Sequence, residues 1–217
     1  MRTVFVTGAS GTLGRALIPE LLARGHGVHA LVRAGREARL PPGCTRVVGD
    51  ALSAASFVAS VPVASTLVHL VGTPSPAPWK ARAFRAIDLV SLRSALAAAR
   101  ARSVAHFVYV SVAQPAPVMR ACVRVRAECE AQLRSAGLAA TILRPWYVLG
   151  PRHRWPLLLL PLYWLAELVP ALAPRAQRLG LVRLEQMIAA LVWAVEHPCV
   201  GQRVLEVPEI RRHAASD

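Results

Sequence analysis

The sequence predicts an α/β fold, a doubly wound parallel sheet with helices on both faces, and three observations support this. Short apolar runs alternate along the chain with segments of helical spacing, a pattern typical of a parallel sheet. Hydrophobic residues make up 54% of the 217 positions, which is enough to fill a core layer on each face. A glycine-rich turn joins the first strand directly to the first helix.

Seven short runs of apolar, largely β-branched or aromatic residues are predicted to be strands. The third run is closed by Gly49 and Asp50, and the fourth is apolar throughout except for one histidine. The predicted strands lie at 4–6, 28–32, 47–48, 66–71, 106–111, 140–143 and 204–207.

The segments between these strands place apolar residues three and four positions apart, which is the spacing of an amphipathic helix. The predicted helices lie at 13–22, 52–60, 79–102, 118–135 and 184–196. Residues 1–150 therefore form the sheet-bearing domain, and residues 151–217 complete the same domain as a small C-terminal segment.

The turn after the first strand carries the most specific functional pattern in the chain. Gly8 permits a tight turn, Gly11 lets the backbone approach a pyrophosphate, and Gly14 lets the helix pack closely on the sheet. The N–H groups at the start of the helix would then face the phosphates. We predict that this turn binds a dinucleotide through Thr7, Gly8, Ser10, Gly11, Thr12, Leu13 and Gly14.

The run Thr-Gly-Ala-Ser-Gly-Thr-Leu-Gly at 7–14 resembles the glycine motif of the atypical short-chain dehydrogenase/reductase family. That family includes NmrA-like, NAD-dependent epimerase-like and complex I accessory-subunit-like members. The resemblance continues through 47–50, 107–111 and 141–145, and covers about residues 2–150. It implies a Rossmann-like fold, an NAD(P) cofactor and a C-terminal lid over the substrate. Helices 79–102 and 118–135 match the elements that pair in homodimers of the family.

The residues around the adenosine favour NADP(H) over NAD(H). Arg33 ends the second strand with Arg36 and Arg39 close behind it, and a guanidinium there can grip a 2′-phosphate. Asp50 has two interpretations, an acceptor beside the adenine or an ordinary helix N-cap. The other expected cofactor contacts are Ala51 after the third strand, Leu70, Val71 and Gly72 after the fourth, and Pro145 after the sixth.

The resemblance also implies a catalytic site, but its two main residues differ here. Reductases of the family use a serine and a Tyr-x-x-x-Lys pair, in which the tyrosine transfers the proton. Ser111 occupies the serine position, whereas Cys122 and Arg126 replace the tyrosine and the lysine. Cys122 is either a replacement proton donor or a core residue, since it shares an apolar helix face. Tyr147 offers another phenol, either as a proton donor or as a packed aromatic.

Composition restricts the partners. The net charge is +14, but the arginines are scattered, so we expect no designed nucleic-acid binding. The four cysteines lack metal-ligand spacing, so we expect free thiols and no metal site. The first strand begins within two residues, so we expect no signal peptide and a cytoplasmic protein. Disorder is expected only over 211–217.

The apolar stretch 155–173 is broken by prolines and fits either a lid over a small apolar substrate or a segment lying at a lipid surface. Two functions follow from these patterns. The first is an NADP(H)-dependent oxidoreductase acting on an apolar carbonyl or quinone-like compound. The second is a non-catalytic NADP(H)-binding redox sensor or structural or assembly protein, peripheral to a membrane.

Overall fold

A computed structural model describes residues 1–73, 77–149 and 178–213. Within these residues the chain forms a parallel sheet of seven strands and a second parallel pair of strands. The strands are β1 (Thr3–Thr7), β2 (Gly27–Val32), β3 (Thr45–Val48), β4 (Thr66–His69), β5 (His106–Val110), β6 (Ala140–Leu143), β7 (Tyr147–Leu149), β8 (Leu181–Arg183) and β9 (Gln202–Leu205). The order in the main sheet is β3-β2-β1-β4-β5-β6-β9, and β7 pairs with β8.

Helices cover both faces of the main sheet. They are α1 (Thr12–Ala23), α2 (Ala81–Ala83), α3 (Val90–Ala101), α4 (Arg120–Ser135), α5 (Leu184–Glu196) and α6 (Val207–Arg212), with a π-helical segment at Phe84–Leu89 between α2 and α3. Alternate residues of each strand enter opposite core layers. Val4 and Val6 pack with α1 and α5, while Phe5 packs with α3 and α4. The predicted doubly wound α/β fold is therefore confirmed.

Two predicted helices differ from the observed structure. Segment 52–60 forms two 3₁₀ turns, Ala54–Ser56 and Val58–Ser60, instead of one helix. The Ser56 hydroxyl lies 2.7 Å from the Ser53 carbonyl and 3.0 Å from that of Asp50, and such local bonds compete with helix formation. The predicted helix 79–102 is divided into a 3₁₀ turn, α2, the π-helical segment and α3.

Several predicted boundaries also move. Helix α4 begins at Arg120 rather than at 118, because Met119 has a left-handed φ of 56°. Strand β9 ends at Leu205 rather than 207, since Val207 is already the first residue of α6 and Pro208 lies in its first turn. Disorder from residue 211 is wrong for Arg211, which lies in α6 and donates to the Leu181 carbonyl. The segment 155–173, and with it most of the expected lid, lies outside the described residues.

All seven strands of the main sheet run in parallel, so the loops after them meet at one edge. Strand β1 lies between β2 and β4, which places the reversal of strand order beside its carboxyl end. Ligands of doubly wound sheets bind at such a reversal. The loops after β1, β4, β5 and β6 therefore define the candidate site. Among the helices that the structure describes, none is both long and apolar enough to cross a membrane.

Candidate functional site

The glycine turn after β1 forms a cradle that side chains would fill. Gly8 has a φ of +71°, and a Cβ there would lie 2.9 Å from the carbonyl carbon of Leu70. A Cβ on Gly14 would lie 2.5 Å from the Ala9 carbonyl oxygen, so only glycine lets α1 pack this closely against the turn after β1. Gly11 is exposed, and a Cβ there would lie 3.1 Å from the Gly8 oxygen. These contacts agree with the separate roles expected of the three glycines.

The start of α1 is open to an anionic ligand. Its N-cap is Gly11, whose side-chain position offers no capping group, and its first turn contains no acidic residue. Thr12 is exposed, and Ser10 and Leu13 are half-buried beside it. A pyrophosphate could therefore reach the helix N–H groups, and the residues present fit a dinucleotide. The Thr7 hydroxyl is committed elsewhere, since the residue is fully buried and its oxygen lies 2.8 Å from His69 Nδ1.

The residues predicted to meet the adenosine lie after β2 and β3. Arg33 follows β2 directly and is exposed, as are Arg36 and Arg39 in the next turn. Asp50 is exposed after β3, and its Oδ1 accepts the N–H of Leu52 at 3.0 Å. This is a turn rather than a helix N-cap, because the helix expected after Asp50 does not form. Ala51 is half-buried beside it, as are Leu70, Val71 and Gly72 after β4.

The Arg126 guanidinium is held by a buried carboxylate. Its Nη2 lies 2.5 Å from Oδ1 of Asp88, which is 2% exposed on the π-helical segment. Its Nη1 donates to the Tyr109 hydroxyl at 3.1 Å and to the Val110 carbonyl at 2.8 Å. Burial opposes the charge of Arg126, but these oxygens raise its pKa above the ordinary value. The guanidinium therefore carries a charge that Asp88 already neutralises.

Arg126 also lies directly beneath the loop that follows β4. A Cβ added to Gly72 would collide with Arg126 Nη2, so glycine at 72 makes room for this side chain. Thr73 completes the arrangement by donating its N–H to Asp88 Oδ2 at 3.0 Å and its hydroxyl to the same oxygen at 2.5 Å. The structure thus brings Gly72 and Arg126, two of the predicted site residues, into contact.

Ser111 donates its hydroxyl to a second buried carboxylate. Its Oγ lies 2.6 Å from Oε1 of Glu130, whose side chain is fully buried on α4. Arg144 binds the same carboxylate through Nη2 at 2.5 Å and reaches Glu206 at 2.8 Å through Nη1. Burial raises the pKa of Glu130, but the bonds from Arg144 and Ser111 and the nearby positive charges lower it overall. In this arrangement the Ser111 proton is not directed at a substrate oxygen.

The two candidate proton donors are both held at raised pKa. Cys122 is 9% exposed and packs in the core with Val125 and Cys129. Burial is the main cause that raises the pKa of its thiol, against the opposing charge of Arg126. Tyr147 is half-buried on β7, where burial raises its pKa. Its ring meets that of Trp146 edge-on, with the centroids 5.5 Å apart.

Sequence reasoning missed the two carboxylates that organise this edge. Asp88 and Glu130 each occupy the buried side of a helical segment, among residues such as Phe84, Leu92 and Leu133. A carboxylate inside an apolar stripe was the available signal, since buried charges are normally paired. Pro145 is buried after β6, where Arg144 anchors the loop. Among the described residues no group of three or more His, Cys, Asp or Glu side chains could hold a metal ion.

Comparison with known protein families gives one clear match. Residues 8–153 match the family described as NAD(P)H-binding. The matched range contains the glycine turn and every loop of the candidate site.

Three characterised relatives have different activities. One is a 3-diazoavenalumate denitrifying reductase of a Streptomyces species, 31% identical over 68% of this chain and 57% of that protein. Another is a ceramide reductase of Caulobacter vibrioides, 27% identical over 96% of this chain and 65% of that protein. The third is the photosystem II assembly factor Ycf39 of Cyanophora paradoxa, 26% identical over 65% of this chain and 44% of that protein. The chain thus spans less than two thirds of each relative.

Solved structures resemble the fold. The Bordetella bronchiseptica enzyme WbmH in complex with NAD⁺ superposes with a TM-score of 0.70 at 21% identity, over 95% of this chain and 75% of that one. The Thermus thermophilus UDP-glucose 4-epimerase in complex with NAD gives a TM-score of 0.67 at 18% identity, over 98% of this chain and 81% of that one. At these identities the likeness establishes a shared fold.

Proposed function

Because this chain belongs to the NAD(P)H-binding family, we propose that it binds NADP(H) in preference to NAD(H). The support is the charge after β2, where Arg33, Arg36 and Arg39 are all exposed. The nearest acid is Glu37, within the 3₁₀ turn that follows. A carboxylate that binds a ribose 2′-hydroxyl is thus replaced by arginine, which suits a 2′-phosphate.

Titration with NADPH and NADH, followed by calorimetry, tests this preference. We expect tighter binding of NADPH, and Arg33→Ala should weaken it about tenfold, or ~1.4 kcal/mol, while changing NADH binding little. Arg93→Ala is the matched control, because Arg93 is an exposed arginine on α3. Equal affinity for the two nucleotides in the unmodified protein would refute the preference.

We further propose that the protein is an oxidoreductase that reduces an apolar, quinone-like acceptor. This proposal rests on one observation: the residues at the family's acid–base positions are already paired or buried. Ser111 donates to Glu130, Cys122 is buried with a raised pKa, and Arg126 is paired with Asp88. Reduction of an isolated ketone forms an alkoxide, which needs a positioned acid. A reduced quinone is a much weaker base and can take its proton from water.

The roles of the protein residues in such a reaction are to bind and to position. The nicotinamide, when bound, would supply the hydride. The glycine turn holds the phosphates, and Gly72 with Arg126 shapes the surface at the end of β4. Arg144, Glu130 and Ser111 fix the ends of β5 and β6 against α4. The apolar sequence at 155–173, which lies outside the described residues, suggests that the acceptor is apolar.

The pairing and burial of these residues also favour a second candidate function. A chain in which Ser111 and Arg126 are paired with buried carboxylates can hold NADP(H) as a redox sensor or as a structural or assembly protein, and one relative is named as an assembly factor. In that role the segment 155–173 would contact a membrane surface from the cytoplasmic side. Flotation with liposomes tests this contact directly.

Oxidation of NADPH in the presence of a soluble quinone, an aldehyde or a ketone separates these functions. Turnover with the quinone alone is the expected result. Comparable turnover with the ketone would overturn the proposal, because a ketone needs a positioned proton donor. Tight NADPH binding without turnover on any acceptor would support the non-catalytic function instead.

A further inference from the structure

A cavity opens at the edge of the sheet opposite the glycine turn. Its volume is about 360 Å³, within the range of small-molecule sites. It lies where β1, β4 and β5 begin, and its wall includes Arg2, Thr3, Val63, Thr66, His106 and Pro198. The candidate cofactor site lies at the other ends of the same strands. The length of the sheet therefore separates the two sites.

His106 brings an unsatisfied donor to this cavity. The residue is 1% exposed, and its Nδ1 has no hydrogen-bond partner among the described residues. Its Nε2 lies 3.1 Å from the Thr141 hydroxyl. The Cys199 thiol donates to the Ala140 carbonyl at 3.1 Å, and sulfur 3.8 Å from the hydroxyl is a poor acceptor. Cys199 Sγ lies 3.9 Å from Nε2, so the hydroxyl is the nearer group, and we assign it as the donor to Nε2, which places the ring proton on Nδ1.

The charge around the cavity favours a negative ligand. None of the wall residues is acidic, whereas Arg2 is a cation with several donors, one of which binds the Glu196 carbonyl at 3.3 Å. Burial, together with the positive charges of Arg203 and Arg2, lowers the pKa of His106 to about 4. The imidazole is therefore neutral near pH 7 and acts as an N–H donor.

A second unsatisfied group lies next to the wall. The hydroxyl of Ser65, which precedes Thr66, is buried and has no partner among the described residues. A buried polar group without a partner costs about 1–3 kcal/mol, and an acceptor at His106 Nδ1 would offset this cost for the imidazole. The volume is roughly ten times the ~30 Å³ that one water occupies in the liquid, so the space suits a molecule larger than water.

We propose that this cavity binds a small oxyanion, a carboxylate or a phosphate group of a metabolite, that accepts the Nδ1–H of His106 and pairs with Arg2. The site is distinct from the dinucleotide site and does not depend on it. Because both ends of β1, β4 and β5 would then carry a ligand, the same strands connect the two sites.

Nitrogen NMR of histidine-labelled protein tests the proposal at the residue itself. Acetate and inorganic phosphate are added separately at constant ionic strength, with chloride as the reference. The His106 Nδ1–H resonance, assigned by its loss in His106→Gln or by backbone connectivity, should shift and saturate. Phosphate bound at the glycine turn would not move this resonance, because that turn lies at the other sheet edge. Saturation with only one of the probes identifies the oxyanion as carboxylate or phosphate.

Arg2→Ala provides the second measurement. It should weaken the saturable shift about tenfold, since it removes the guanidinium from the wall. Arg46→Ala is the matched control, because Arg46 is an exposed arginine on β3 and is absent from the wall. An unmoved resonance with both probes would mean that an ordered water satisfies His106, and would overturn the proposal. Equal weakening in Arg46→Ala would also overturn it, since the effect would then be general charge.

Discussion

The buried pair of Asp88 and Arg126 offers the sharpest test of the candidate site. Asp88→Asn keeps an acceptor for Thr73 but removes the charge opposite a guanidinium whose side chain is 13% exposed. An unpaired buried charge typically costs about 3–5 kcal/mol, so we expect Asp88→Asn to lose stability in that range. Arg126→Met should cost a similar amount, because Asp88 is then left charged at 2% exposure.

The double variant measures the coupling energy between Asp88 and Arg126. Once both charges are gone neither is left uncompensated, so the double variant should cost less than the sum of the single variants by roughly 2 kcal/mol. Equilibrium unfolding in urea, followed by tryptophan fluorescence, measures each free energy of unfolding. The slope of the transition must stay unchanged for the values to be compared.

The chain contains a matched control for this cycle. Arg85 and Glu128 join the same two elements, the π-helical segment and α4, at 2.9 Å, but their side chains are 58% and 31% exposed. The coupling between Arg85→Met and Glu128→Gln should stay below about 1 kcal/mol. If Asp88→Asn costs no more than Arg85→Met, the pair is not buried as described. Arg126 would then be available to act like the lysine it replaces.

Three further predictions follow from individual environments. Gly14→Ala should destabilise the fold and abolish nucleotide binding, whereas Gly27→Ala, whose Cβ meets open space, should be tolerated; thermal unfolding with NADPH titration checks both. The pKa values of His69 and His106 are lowered to about 3 and about 4, so only the unfolded chain gains these protons below pH ~6.5, and stability should fall on acidification by about 1.4 kcal/mol per pH unit for each group. A urea midpoint that does not change between pH 6.5 and 4 would contradict this. Cys122 should resist alkylation in the native protein while the partly exposed cysteines react, as mass spectrometry after brief labelling would show.

Most of the fold could be predicted from short-range patterns. Apolar runs located all seven strands of the main sheet within a few residues, and helical spacing located α1 and α5 closely. Glycine spacing at 8, 11 and 14 predicted the turn, because at each position a Cβ would come too close to neighbouring backbone atoms. The helix expected at 52–60 failed for an equally local reason, the hydrogen bonds of the Ser56 hydroxyl, which apolar periodicity does not report.

The state of the candidate catalytic residues was not predictable in this way. The resemblance of the sequence by itself predicts that Ser111, Cys122 and Arg126 align with the family's acid–base positions. Only the tertiary structure decided that Arg126 meets Asp88, which lies 38 positions earlier, and that Ser111 meets Glu130. The physical reason is that a charge buried by folding must find its partner among whatever elements pack against it. That partner depends on three-dimensional contact and not on distance along the chain.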